Sequence, residues 1–122
     1  MSKKRIILEM GTGNDLYGKD YTKAAKRAVQ DALHHSSITL FPSIGMDHLE
    51  MSVKVTIGVA EPEKVDCEAV AADLPRGVAE VTAVKGGLNV DHEEAGTCHV
   101  IATAAIEAFV PDQTGKWKLS EA

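Results

Sequence analysis

The chain has 122 residues, 44% of them apolar and 25% charged, which suits a single domain with one core and no second-domain linker. Thirteen Lys and Arg against eighteen Asp and Glu leave a net charge of −5, and aromatic residues make up only 4%, which argues against a nucleic-acid partner. No stretch has the length and apolarity of a bilayer span or a secretory leader, and Cys67 and Cys98 form no close-spaced metal motif, so reduced thiols and a cytoplasmic location are expected.

Residues 6–10 (Ile-Ile-Leu-Glu-Met) predict a first strand. Gly11, Gly13 and Gly18 then punctuate a segment that reads as a strand-to-helix loop. Asp20 is a helix N-cap, and Tyr21, Ala25, Ala28, Val29 and Ala32 recur at helical spacing up to His34-His35. That alanine-rich stripe fits close packing on a sheet or another subunit. The connection through Phe41-Pro42-Ser43-Ile44-Gly45 contains helix breakers. Residues 49–59 alternate cleanly, with Met51, Val53, Val55, Ile57 and Val59 on one side, and predict a half-buried strand.

Asp66 can cap a short helix over residues 67–73, closed by Leu74-Pro75. Residues 78–84 predict a third strand that breaks at Lys85-Gly86-Gly87. Residues 89–96 read as a polar loop, and residues 98–110 as a long last strand. Both sides of that strand are largely apolar, which predicts a central position in the sheet. Residues 1–4 and 112–122 are expected to be peripheral tails. The fold class is therefore α+β: a four-stranded mixed sheet with two helices on one face, in the order β-α-β-α-β-β. One sheet face stays uncovered, and a homo-oligomer is the natural way to cover it. This element order resembles that of the Bacillus-type chorismate mutases and related small trimers, which implies a trimer with sites between subunits.

The segment from Gly11 to Gly18 also resembles the signature Gly-x-Gly-x-Asp-x-His-Gly of an uncharacterised family of small bacterial and plant proteins. Gly11, Gly13, Asp15 and Gly18 match it, and Tyr17 stands in place of His. The resemblance continues through Asp20-x-Thr22-Lys23-Ala24-Ala25, Pro62-Glu63-x-Val65-Asp66 and Gly86-Gly87-Leu88. It implies no particular activity. A phenol, with its usual pKa of about 10, is a poor general base at neutral pH but a good hydrogen-bond donor.

The chemistry expected of the loop is that of a backbone nest for a small polar ligand such as a carboxylate, carbonyl or phosphate. Gly11, Gly13, Asn14 and Gly18 would approach the ligand, and Lys23 would balance its charge. Seven of the thirteen cations fall within the first 27 residues, which fits a small anion there. Gly86 and Gly87 form a second close-approach segment. They, or residues 41–48 of a neighbouring copy, would complete the site. If the protein is an enzyme, the chemistry expected is acid–base or hydrolytic action on a small polar carbonyl compound. Asp15 and Lys85 would then carry protons and Tyr17 would donate one. The alternative is a non-catalytic oligomeric ligand-binding or assembly module, and the absence of a nucleophile–base pair favours it. Asp91-His92-Glu93-Glu94, with His99 and Asp47-His48, offers N and O donors without a defined ligand register, so a solvated turn is expected and no metal or cofactor.

Overall fold

Alternation of β-branched and polar residues in Ser52–Val59 places Val53, Val55, Ile57 and Val59 on one side of a strand, and all four are buried. This strand sits inside a mixed sheet in a computed structural model that describes residues 3–34, 52–74 and 78–111. The elements are β1 (Lys3–Asp15), α1 (Tyr21–His34), β2 (Ser52–Val59), a 3-10 turn (Pro62–Lys64), α2 (Cys67–Ala72), β3 (Val78–Lys85), β4 (Leu88–His92) and β5 (Thr97–Pro111). The sheet runs β1-β5-β2-β3, with β4 paired to β5. Only β2 and β3 are parallel, joined by the crossover that contains α2.

The α+β class and the mixed sheet hold, and the strand count is corrected from four to five. The extra strand is β4, which the sequence reads as part of a polar loop. Asn89, Asp91 and His92 hide it, because a strand exposed along most of its length need not be apolar. β5 is central, as its two-sided apolar pattern predicts. One edge pairs with β1, and the other pairs first with β4 and then with β2.

The core lies between this sheet and both helices. Ala24, Ala25, Ala28, Val29 and Ala32 of α1 and Val70 of α2 pack on the inward side chains of β2 and β5. Side chains as small as alanine bring α1 within reach of the β1 backbone. An ideal Cβ at Gly11 would stand 2.4 Å from Ala32 N, and one at Gly13 would stand 2.2 Å from Ala28 N. Both glycines are therefore strand residues under a helix. This corrects the loop expected over Gly11–Asp15, which pairs with β5 as far as Asp15 opposite Val100. Helix polar groups also cap the free edge of β1. Asp31 accepts from the Thr12 N–H at 3.0 Å, and Arg27 Nη1 donates to the Asn14 carbonyl at 2.5 Å.

Both N-caps form as expected: Asp20 Oδ1 accepts from Lys23 N–H, and Asp66 Oδ1 from Ala69 N–H. The connection 41–48, Asp47 and His48 lie outside the described residues.

Candidate functional site

Three places collect polar side chains, and the sheet register explains each. The first is the turn from β1 to α1. Asp15 is 4% exposed, and its carboxylate accepts the Asp20 N–H at 2.8 Å. Lys23 Nζ and Arg27 Nη1 stand 3.7 and 4.0 Å from Oδ1. The carboxylate thus closes the turn that contains Gly18 and Lys19, the latter at φ 50°. Gly18 lies over this carboxylate, and Tyr17 is exposed with its ring edge-on to His99 at 6.1 Å. Asp15, Gly18 and Lys23 therefore come together, but around one another. Gly13 is buried away from them beneath α1.

The second place is a trough of 560 Å³ on the face of the sheet away from the two described helices, reached at its β1 edge by Asp31 of α1. Cross-strand pairing lays Thr12 beside Thr103 and Thr103 beside Gly58, with Thr56 opposite Ala105. Met10, Gly11, Val84, Lys85 and Gly86 complete much of its lining. Gly86 donates its N–H to the Val59 carbonyl at 2.8 Å as the chain rounds the end of β2. Gly87, at φ 60°, passes so close that a Cβ would stand 2.3 Å from the Ile101 carbonyl oxygen. Gly11, Lys85 and Gly86 thus meet at one concavity within a single chain. Asp15, Tyr17, Gly18 and Lys23 do not reach it, and Asn14 lies one row further along the same face, opposite Ile101.

The third place combines a buried network with a neighbouring cleft. Tyr21, at the start of α1, is 2% exposed. Its hydroxyl donates to Glu61 Oε2 at 2.6 Å and accepts from Asn89 Nδ2 at 2.7 Å. Lys64 Nζ and Lys19 Nζ approach the same Glu61 carboxylate at 3.2 and 3.7 Å. Burial, then the Glu61 hydrogen bond, push the Tyr21 phenol above its ordinary value. The hydrogen bonds from Tyr21 and Lys64 hold Glu61 below the usual carboxylate range. Burial, then a hydrogen bond to Asp91, raise the Cys98 thiol. Perturbed titratable groups gathered beside a cavity are a recognised mark of functional sites. Sequence reasoning misses this cluster. Tyr21 reads as part of the helix stripe, Glu61 as a turn and Asn89 as loop, and only the fold brings the three together.

A fold of this kind, with a glycine-paved strand under its long helix, defines a small α+β domain in which both described helices lie on one face of the sheet. The chain belongs to the Lin0512_fam family of conserved hypothetical proteins, whose model matches residues 5–108. Among solved structures, it is similar to an FtsZ-like protein of unknown function from Nostoc punctiforme. The two are 35% identical, with a TM-score of 0.81 over 92% of this chain and 99% of that one. No curated protein matches.

Proposed function

We propose that this protein is a homo-oligomer, with a trimer favoured, that binds a small polar molecule in the trough on its open sheet face. The observation that supports this reading is where five of the seven exposed large apolar side chains among the described residues fall, Leu16 and Tyr17 of the β1–α1 turn being the other two. Leu8, Met10, Val84, Leu88 and Val90 are each more than 40% exposed. In the sheet register they lie on the face away from the helices, around the trough. An apolar surface of that extent is characteristic of a contact surface, and closed rotational symmetry satisfies it without leaving an open edge.

At the rim, Arg5 and Glu107 pair at 3.2 Å, and the register sets Lys54 between Glu107 and Glu80. A charged border of this kind fixes the register of a contact more than it strengthens it. Lys85 at the end of β3 and Thr12, Thr56 and Thr103 line the trough together with Asp31, and their ammonium and hydroxyl donors suit a carboxylate or carbonyl oxygen. Lys85 is the one proposed proton carrier that reaches this concavity, so binding without catalysis is the stronger form of the reading. Asp15 and Tyr17 stay in the proposal only as groups that shape the turn.

Light scattering at micromolar concentration, with Met10→Glu and Val84→Glu as variants, tests the assembly. The expected result is an oligomer that the variants dissociate without unfolding, and a monomeric wild type overturns the reading. Thermal melting with malonate and with acetamide tests the trough. Stabilisation that Lys85→Met removes supports it.

A further inference from the structure

An open sheet leaves a row of backbone donors and acceptors unpaired along each outer strand. Here the outer strands of the main sheet are β1 and β3. α1 closes the β1 edge, because Asp31 and Arg27 take the Thr12 N–H and the Asn14 carbonyl. β4 is also open on its outer side, but it is five residues long and carries Asp91 and His92, and short charged strands resist further pairing.

β3 is different. It pairs only with β2, in parallel, and Val59 of β2 stands opposite Lys85. The Val59 carbonyl accepts from the Gly86 N–H, one residue beyond Lys85, and that bond sets the phase of the ladder. Glu80, Thr82, Val84 and Gly86 therefore turn their backbone groups toward β2. The N–H and carbonyl groups of Ala79, Val81, Ala83 and Lys85 face outward, where no partner stands among the described residues.

This edge has little to protect it. Val78, Val81, Thr82 and Val84 are β-branched, no proline interrupts them, and Glu80 is the only charge before the terminal Lys85. The strand is also complementary to itself. Laid antiparallel on a second copy with Val81 on the two-fold axis, Val81 meets Val81 and Ala79 meets Ala83. These are the residues whose backbone groups face outward, so they form the hydrogen-bonded pairs. Between them, Glu80 stands opposite the partner's Thr82 and Thr82 opposite the partner's Glu80. Both side chains are exposed, and each carboxylate meets a hydroxyl donor rather than another carboxylate. On the other face, Val81 and Ala83 are half-buried at the margin of the core, so the seam continues that core into the neighbour.

We propose that β3 is the seam of a two-fold dimer, in which the β3 strands of two copies pair antiparallel and join their sheets into one. This contact uses the edge of the sheet, whereas the assembly proposed above uses its face, and neither requires the other.

The test is amide hydrogen exchange on the full-length protein, read residue by residue by NMR, beside light scattering. The Val81 and Ala83 amides should be protected in the wild type, as the Thr82 and Val84 amides are by β2. Thr82→Glu, at an exposed position, sets carboxylate against the partner's Glu80. It should speed exchange at Val81 and Ala83 roughly tenfold or more, leave Thr82-position and Val84 exchange slow, and halve the mass in solution. Adding Glu80→Lys to that variant should restore both the protection and the mass. Met10→Glu, which addresses the face contact, should leave the protection intact, so failure of one contact reads separately from failure of the other. Unprotected Val81 and Ala83 amides in the wild type, protection that survives Thr82→Glu, or protection that Met10→Glu removes each overturns the proposal.

Discussion

Gly13→Ala separates a packing glycine from a ligand-binding one. The structure places the new Cβ 2.2 Å from Ala28 N, 2.5 Å from Ala24 O and 2.6 Å from the Arg27 carbonyl carbon. All three are helix backbone, so no side-chain rotation relieves them. Ordinary contact begins near 3.4 Å, so α1 must lift by about 1.2 Å along that direction. Lifting α1 also opens the contacts of Ala24, Ala25, Ala28 and Val29 with the sheet, all four of which are fully buried. Overpacking of this kind costs about 3 kcal/mol, the upper part of the usual range. For a domain of this size that lowers the melting temperature by roughly 10 °C. Gly18→Ala is the control. Its Cβ would meet only the Asp15 side chain, at 3.1 Å, so it should cost under about 1 kcal/mol. Thermal and urea melts of both variants without ligand measure the difference. If Gly13→Ala melts within about 2 °C of wild type, the packing argument fails and the glycine serves something other than helix approach.

Other consequences follow from the polar clusters. Glu61 titrates below its ordinary value of 4.5 in the folded chain, so its contribution to stability is present above that pH and is lost as pH falls through the lowered folded value. Glu61→Gln should therefore flatten the acid limb of stability against pH, and an unchanged limb in urea melts would contradict the Tyr21 and Lys64 contacts. Tyr21 behaves oppositely at the alkaline end. Its raised pKa means stability that is full below 10.0 and lost as pH climbs through the folded value, and Tyr21→Phe should remove that limb. Arg27→Ala uncovers the Asn14 carbonyl on the β1 edge, and faster amide exchange along the α1–β1 contact is the expected readout.

Much of the fold is legible in the residues because burial there is one-sided. Val53 to Val59 and Val100 to Ala108 alternate in the chain and in the structure alike, and Asp20 and Asp66 cap helices where hydrogen-bonding side chains precede apolar runs. The site is less legible, for a physical reason. Glycine serves both a loop that approaches a ligand and a strand that a helix approaches, and local sequence does not distinguish them. The deciding information is the alanine stripe on α1. Its residues at 24, 28 and 32 are the surface that meets Gly11 and Gly13, and the two patterns make sense only when matched. The Tyr21, Glu61 and Asn89 network spans 68 residues, so no spacing rule could have assembled it.

Asp15 shows how far the same logic reaches into chemistry. A carboxylate beside glycines at the end of a strand invites the role of proton carrier, yet this one is 4% exposed with an oxygen committed to the Asp20 N–H. Its cationic neighbours, Lys23 and Arg27, have side chains about half exposed at 53% and 50%, so removing Asp15 does not strand buried positive charge. The loss is chiefly one hydrogen bond to a charged acceptor and the turn that bond closes. Asp15→Ala should then cost about 2 kcal/mol. Asp15→Asn keeps an oxygen for the Asp20 N–H and should cost about half as much. A proton carrier predicts the reverse ranking of effects, with Asn as damaging to activity as Ala while stability stays near wild type. Melting both variants, and measuring ligand-induced stabilisation in each, decides between the roles. If Asn restores stability but ligand stabilisation is still lost, Asp15 belongs to the site. If stability and ligand response recover together, it is the clasp of the β1–α1 turn.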